Sequence, residues 1–233
     1  MTLERLLRPI LHFAYPNVCV VCQSLLTRNE TYVCAACQND FDAFLLPNES
    51  AEKMMATLEA HFPKQTVISD AVALYNFHKQ GKLQALIHAF KYEGLSRLAL
   101  EQGRRLGEAI LREKRGARFD FIAPMPLHPI RKIERGYNQA ERLAKGVSEV
   151  IGTPVRELVR RARYAKTQTS FDLAGRLQNV KNAFECDEAL NGESILLIDD
   201  VFTTGSTMME CAKTLKSAGA GRITIATLAV AAS

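Results

Sequence analysis

An apolar run that ends in two adjacent aspartates is the feature that most constrains the fold of this chain. Residues 195–198 are Ile-Leu-Leu-Ile, a short, branched and non-alternating run that is typical of a strand buried on both faces of a parallel sheet. Residues 208–217 have a helical composition, and Gly219 follows them as a helix-ending signal. The sequence therefore predicts that Asp199 and Asp200 lie at the carboxyl end of a strand. The residues that open the following helix are Thr203, Thr204, Gly205, Ser206 and Thr207.

The acid pair and the hydroxyl-rich loop together suit a sugar phosphate. Ligands of open parallel sheets bind beyond the carboxyl ends of the strands, and the free amides at the start of a helix bind anions. The hydroxyls of residues 203–207 add further donors for a phosphate. The two carboxylates would repel a phosphate, but they could accept hydrogen bonds from vicinal sugar hydroxyls or support Mg2+ through water. The stretch thus predicts a site for ribose 5-phosphate.

Two other interpretations fit parts of this stretch. The acids could end the Walker B strand of a P-loop nucleotide triphosphatase, but the chain contains no G-x-x-x-x-G-K-[ST] motif. Ser206 could simply cap the helix. A cap, however, explains neither the second acid nor the hydroxyl-rich loop.

Four of the six cysteines form two C-x2-C pairs near the N-terminus. Two such pairs can complete the tetrahedron of thiolates that structural zinc prefers, with no open coordination position. Two disulfides or a redox C-x2-C are the alternatives, although a redox motif normally lies in a βαβ context. Because metal-bound thiolates are typical of a reducing compartment, this interpretation predicts a cytoplasmic protein. The expected Zn2+ ligands are Cys19, Cys22, Cys34 and Cys37.

Strand and helix patterns alternate after the cysteine region, which predicts an α/β fold with a parallel sheet flanked by helices. The predicted strands are residues 71–77, 119–123, 195–198 and 223–230. The predicted helices are residues 83–92, 95–112, 137–150, 172–183 and 208–217.

Three regions are predicted along the chain. Residues 1–45 combine an amphipathic leading helix with the cysteine subdomain, residues 46–66 form a linker with a helical piece at 51–60, and residues 67–233 form the α/β domain. No apolar run reaches the roughly 18 residues of a membrane span. Glu4 and Arg8 interrupt any signal-peptide core, so neither a span nor a signal peptide is expected.

Positive charge is concentrated in one segment. The chain has a formal net charge of +5, and residues 129–166 contain ten Arg or Lys against four Glu. Such a block is typical of proteins with anionic partners, either phosphates or nucleic acid. A solvated helical face is the alternative interpretation.

Several motifs along the chain resemble those of a known family. "ILLIDDVFTTGSTM" resembles the phosphoribosyl pyrophosphate (PRPP) signature of type I phosphoribosyltransferases. The whole chain is similar to the ComF/GntX family of bacterial competence and DNA-utilisation proteins. The motifs that carry this resemblance, in order, are the double C-x2-C, "FKYEG", "APMPLHPIRKIERGYNQAERLA", "RARYAKTQTSFDLAGRLQNVKNAF", the aspartate strand and "LKSAGA".

The resemblance implies a Rossmann-like type I phosphoribosyltransferase core and assigns roles to residues. Asp199 and Asp200 would bind the ribose hydroxyls of PRPP, residues 203–207 its 5-phosphate, and the loop at 124–128 its pyrophosphate, with Mg2+ as the bridging ion. Cations near this site would stabilise the departing pyrophosphate. The loop residues are Pro124, Met125, Pro126, Leu127 and His128, and the cations are Arg131, Arg135, Arg161, Arg163 and Lys166.

Two side chains keep alternative interpretations. His128 could bind phosphate or carry a proton, but a loop histidine bonded to a backbone carbonyl is equally compatible with the sequence. Tyr137 could stack on a base or pack against the core.

Two functions are therefore expected. The first is Mg-dependent phosphoribosyl transfer from PRPP to an acceptor that the sequence does not identify. The second is non-catalytic handling of imported single-stranded DNA, with PRPP or a nucleotide as a regulatory ligand and other competence or DNA-processing proteins as partners. In this second function, the basic segment with Arg160, Arg161 and Arg163 would contact the DNA backbone, together with the cysteine subdomain.

Overall fold

The computed structural model describes residues 17–161 and 183–231. Within these residues, four strands form one parallel sheet, and two very short strands pair antiparallel beside it. The parallel sheet has the order β1-β6-β5-β2, so the predicted α/β class is confirmed. The strands are β1 (Asp70–Phe77), β2 (Phe121–Pro124), β3 (Arg160–Arg161), β4 (Phe184–Glu185), β5 (Ile195–Phe202) and β6 (Ile223–Ala231).

The helices follow the predicted pattern with shifted ends and two short additions. Gly94, with φ 71°, separates α3 from α4, and Gly152, with φ 74°, ends α6. Helices α1 and α5 have no counterpart among the predictions. The described helices are α1 (Ala35–Asn39), α2 (Glu49–His61), α3 (Lys82–Tyr92), α4 (Ser96–Glu113), α5 (Pro129–Arg135), α6 (Gln139–Ile151) and α7 (Ser206–Ser217).

The predicted leading helix falls within residues 1–16, which lie outside the described part of the chain. The helix predicted at 172–183 also lies outside it, except for residue 183. Lys166 and Arg163 lie outside it as well. Among the described helices, none combines the length and the apolar character needed to cross a membrane.

Strand β5 is longer than the apolar run predicted. It continues through both aspartates to Phe202, because β6 lies alongside and pairs with it as far as Val230. On the other side, β2 pairs with β5 only up to Ile198, opposite Pro124. The two aspartates therefore lie inside a strand that has lost its neighbour on one side. This leaves a notch in the sheet, which we call the acid notch (Asp199 and Asp200).

Helices α4 and α6 pack closely on one face of the sheet. A methyl group added at Gly146 would lie 2.1 Å from the carbonyl oxygen of Leu100, and one at Gly103 would lie 2.3 Å from that of Leu143. These glycines therefore allow a backbone-to-backbone approach that no larger residue permits. The approach sets how closely α4 and α6 pack against each other.

Helix α2 lies within the segment predicted as a linker. Its Met54 and Leu58 side chains are fully buried, and they belong to the same apolar cluster as Ile195, Leu197 and Ile225 of the sheet. Helix α2 thus packs as part of the α/β core.

The cysteine region is joined to the outer edge of β1. Ala43 forms an antiparallel bridge with Tyr75, and the amide of Asn76 donates to the carbonyl of Asp42 at 2.7 Å. The ring of Phe41 packs edge-to-face on Tyr75 with 5.3 Å between centroids. Residues 42–44 therefore lie along the edge strand of the sheet.

Candidate functional site

The acid notch holds two carboxylates in close contact with a lysine. Lys91 Nζ lies 2.7 Å from Asp200 Oδ2, and the two side chains are only 19% and 13% exposed. The amide of Asp200 donates to Asp199 Oδ1 at 2.8 Å. The notch is thus a partly buried cluster of two acids and one ammonium group.

Burial and the neighbouring acid change the protonation of this cluster. Burial, and after it the charge of Asp200, raise the pKa of Asp199 to about 7, against the opposing effects of its hydrogen bond and of Lys91 and Arg161. A shift of this kind is frequent at functional sites, although structural ion pairs also cause it. Near neutral pH Asp199 is therefore held more strongly in its protonated form than an exposed aspartate would be.

Sequence reasoning did not assign Lys91 to the site. The residue lies in "FKYEG", a motif that supported the resemblance without suggesting a role for its lysine. Helix α3 brings it to the notch from a distant part of the chain. The presence of Lys91 inside a motif of the family was the one sequence signal that could have indicated a role at the site.

The hydroxyl-rich loop leads from the notch into α7. The helix begins at Ser206, two residues earlier than predicted, and Gly205 precedes it with φ 74°. A methyl group at Gly205 would lie 2.5 Å from Leu58 Cδ2 and 2.7 Å from Phe202 Cε2, so this position requires glycine for space as well as for conformation. Thr204 Oγ1 and Ser206 Oγ lie 2.8 Å apart. The loop therefore presents exposed hydroxyls at the amide end of a helix.

The loop at 124–128 is held beside the notch by backbone contacts. The Met125 amide donates to the carbonyl of Ile198 at 2.8 Å, directly before the acids. Asn138 Nδ2 donates to the Met125 carbonyl at 3.0 Å, while its Oδ1 accepts from the amide of Ala140 at the start of α6. Asn138 thus couples the loop to a helix end.

His128 and Tyr137 both have structural contacts. His128 Nδ1 accepts from the amide of Ile130 at 3.3 Å and caps α5, so the expected bond to a backbone carbonyl is replaced by one to an amide. The Tyr137 hydroxyl donates to the carbonyl of Phe90, and burial raises the pKa of Tyr137 to about 12. The core interpretation of Tyr137 therefore agrees with its contacts.

Three arginines approach the acid notch. Arg135 donates to Gln139 Oε1 at 3.0 Å and to the Tyr92 hydroxyl at 3.3 Å. Arg161 Nε donates to the carbonyl of Pro126 at 3.3 Å. The third, Arg131, is exposed on α5.

These groups line one cavity of about 170 Å³. Of the residues singled out in the sequence, the structure brings together at this cavity Met125, Pro126, Leu127, Arg131, Arg135, Arg161, Asp199, Asp200 and Thr207. Pro124 lines a second, adjoining cavity of about 230 Å³, which shares Pro126, Leu127 and Arg161 with the first. Thr203, Thr204, Gly205, Ser206 and His128 line neither cavity.

The arrangement has a clear chemical preference. Four cationic side chains and two acids line the first cavity, beside a helix N-terminus with hydroxyl groups. The cations favour a ligand with several negative charges, while the acids favour hydroxyl groups on the same ligand. A phosphorylated sugar combines both properties.

The four N-terminal cysteines form a separate candidate metal centre. Their Sγ atoms all lie within 4.8 Å of one another, and those of Cys22 and Cys34 are 3.7 Å apart. A tetrahedron with Zn–S bonds of about 2.3 Å has S–S edges of roughly 3.8 Å, so the cluster fits one ion. None of these four cysteines forms a disulfide in the structure, so the alternative of two disulfides does not match the observed geometry.

Hydrogen bonds and burial shift the pKa values of two of these thiols in opposite directions. The side chain and then the backbone of Ser24 lower the pKa of Cys22 to about 6. Burial, and then contacts with the other cysteines, raise the pKa of Cys37. The amides of Cys34 and Cys37 point at Cys19 Sγ and Cys34 Sγ, each at 3.4 Å. Two backbone amides thus donate to sulfur atoms of the cluster, as they would to metal-bound thiolates.

Comparison with known proteins agrees with this geometry. Residues 135–233 match the family model of the phosphoribosyl transferase domain. Competence protein F of Haemophilus influenzae is 29% identical over 216 residues, which cover 89% of this chain and 94% of that protein. DNA utilization protein YhgH of Escherichia coli K12 is 33% identical over 147 residues, which cover 61% of this chain and 65% of that protein.

Among solved structures, adenine phosphoribosyltransferase from Thermoanaerobacter pseudethanolicus is 16% identical, with a TM-score of 0.40, and the match covers 84% of this chain and 98% of that one. The sheet, its flanking helices and the matching domain model define a protein with a type I phosphoribosyltransferase domain. The four-cysteine cluster precedes that domain. The chain is similar to competence and DNA-utilisation proteins of the ComF family.

Proposed function

We propose that this chain binds PRPP at the acid notch and transfers its phosphoribosyl group to an acceptor in a Mg-dependent reaction. The observation that carries the proposal is the single cavity in which Asp199 and Asp200 meet Thr207 and three arginines. The acids, the hydroxyl-bearing helix start and the cations are the three kinds of group that PRPP requires.

Each part of PRPP has a matching set of residues. Asp199 and Asp200 would accept hydrogen bonds from the ribose hydroxyls. Residues 203–207 would bind the 5-phosphate through hydroxyls and helix amides. The 124–128 loop would contact the pyrophosphate, together with the cavity arginines and, from outside the described residues, Lys166.

The reaction breaks the bond between ribose C1 and the pyrophosphate oxygen and forms a bond from C1 to the acceptor. The leaving oxygen takes the bonding electron pair, so negative charge on pyrophosphate increases in the transition state. Arg131, Arg135 and Arg161 would stabilise this increase because they already line the cavity.

Mg2+ would supply charge neutralisation on the pyrophosphate. Within residues 17–161 and 183–231, the four cysteines are the only group of three or more ligating side chains that gathers closely enough for one ion. The two acids of the notch, one of them paired with Lys91, offer an incomplete oxygen shell for an ion that prefers octahedral coordination. Most ligands of the ion would therefore come from PRPP and water.

Thermal unfolding tests the binding site. PRPP with Mg2+ at about 100 times its Kd should stabilise the protein by about 2.7 kcal/mol. Replacing Asp199 and Asp200 together by alanine should abolish this shift, whereas Glu149→Gln, which changes an exposed acid paired with Arg104, should retain it. An unchanged shift in the double variant would refute the site. Pyrophosphate release, measured across candidate acceptors, then tests for transfer.

We further propose that the cysteine centre holds structural zinc, and that the protein is cytoplasmic because such thiolates persist in reducing compartments. Four sulfur ligands leave no position for a substrate. The zinc would therefore stabilise the N-terminal region and take no part in transfer.

As a second candidate function we propose single-stranded DNA binding, with its surface on α5. Arg160 forms ion pairs with Glu185 and Asp187, at 2.5 and 2.7 Å, so it is largely neutralised. On α5, by contrast, Ile130 and Ile133 are 60% and 83% exposed beside exposed cations. Apolar and cationic groups side by side suit a single strand, which offers bases as well as phosphates.

Fluorescence anisotropy with a labelled oligonucleotide tests this candidate. Arg131→Ala with Lys132→Ala should weaken binding and reduce its salt dependence by about two phosphate contacts. The control Arg160→Ala should have a smaller effect. No binding at low salt, or a larger effect of the Arg160 variant, would contradict the assignment to α5.

A further inference from the structure

Lys91 is a nearly buried cation in contact with the acid pair. Its ammonium group lies 2.7 Å from Asp200 Oδ2, and its side chain is 19% exposed. By comparison, Lys145 pairs with Glu141 at the same distance on the surface of α6, with its side chain 46% exposed. Desolvating an ammonium is costly unless a partner compensates it, so the position of Lys91 is tied to the acids.

The contacts of the acid pair leave room for a sugar. Lys91 contacts Oδ2 of Asp200, and the Asp200 amide contacts Oδ1 of Asp199. One oxygen of each carboxylate lies outside these two contacts. Two vicinal hydroxyls need one acceptor each, so the pair can bind a ribose while Lys91 stays in place.

The charges around the notch disfavour a divalent ion that arrives without its own anionic ligands. Lys91, Arg131, Arg135 and Arg161 line the cavity against two acids. A free Mg2+ would enter surroundings with an excess of positive charge, whereas a pyrophosphate would reverse that balance.

We propose that Lys91 supplies the cation of the acid pair, so that the site binds the ribose 5-phosphate part of its ligand without a divalent ion. Mg2+ is then needed for the pyrophosphate part alone. This inference rests on the proposed function and makes Lys91 a positioning residue, which holds the Asp200 carboxylate in place for the sugar.

Calorimetric binding of ribose 5-phosphate, in EDTA and in MgCl2, tests the inference on the full chain. The wild-type Kd should differ by less than about twofold between the two buffers. Lys91→Met should weaken binding in EDTA by roughly tenfold or more, and Mg2+ should recover part of the loss. Lys91→Arg, which keeps the charge, should bind closer to wild type.

Controls separate the possible failures. Lys145→Met removes a lysine from an exposed ion pair and should leave both Kd values unchanged. Wild-type binding of PRPP with Mg2+ tests the proposed function by itself. If PRPP binds but ribose 5-phosphate needs Mg2+ or does not bind in either buffer, the inference is overturned. Tighter binding by Lys91→Met would overturn it as well, because Lys91 would then compete with the ligand. The wild-type comparison decides the matter even if Lys91→Met does not fold.

Discussion

Replacing Asp199 with asparagine should make the protein more stable at alkaline pH while removing an acceptor for the sugar. The pKa of Asp199 is raised from 3.8 to about 7, first by burial and then by Asp200. Between these values the folded state binds more protons than the unfolded chain, so stability falls as the pH rises through this window. The raised pKa of this buried acid corresponds to roughly 2–4 kcal/mol of folding free energy across the window.

Urea unfolding at pH 5 and pH 8, followed by circular dichroism, measures this effect. From pH 5 to pH 8 the wild type should lose about 2–3 kcal/mol relative to Asp199→Asn. Asp187→Asn is the control, because its ion pair with Arg160 lowers the pKa of Asp187 and leaves the group ionised at both pH values. Its difference from wild type should therefore be the same at pH 5 and pH 8. If the free energy of unfolding changes equally in Asp199→Asn and in wild type between pH 5 and pH 8, Asp199 does not have the raised pKa on which the prediction rests.

Two further predictions concern the loop and the metal centre. Gly205→Ala should destabilise the protein by about 2–4 kcal/mol, because the alanine would need a left-handed backbone and would overlap neighbouring side chains. The control Gly94→Ala, at φ 71° with open space around it, should lose only the backbone contribution. Equal losses in melting temperature for the two variants would contradict this prediction. Cys34→Ser with Cys37→Ser should lose zinc in metal analysis while Cys186→Ser retains it; equal zinc content in both would exclude the proposed ligands.

Much of the fold could be predicted because its signals are local. The run at 195–198 and the helix after it are recognisable from composition, and Gly94 and Gly152 mark helix ends through their backbone conformation. The end of β5 could not be predicted in this way. It depends on β6, which continues to pair beyond the apolar run.

The site could be predicted where its residues are neighbours in the sequence. Asp199, Asp200 and the loop after them are nearly consecutive, so their shared location follows from one strand end. Lys91 enters from α3, and no periodicity or spacing links a lysine there to an acid pair so far along the chain. The neutralisation of Arg160 likewise depends on acids at 185 and 187 that reach it only through the pairing of β3 with β4.

Because residues 42–44 lie along β1, we expect loss of metal from the cysteine cluster to promote aggregation of the protein. Strand β1 is at one border of the described sheet, and this segment, which closely follows the cysteine cluster, pairs with its outer hydrogen-bonding groups at residues 74–76. An uncovered border strand is a template for pairing with another chain. Stripping the thiols of metal would loosen that cover, and the expected result is self-association into aggregates before the rest of the domain unfolds.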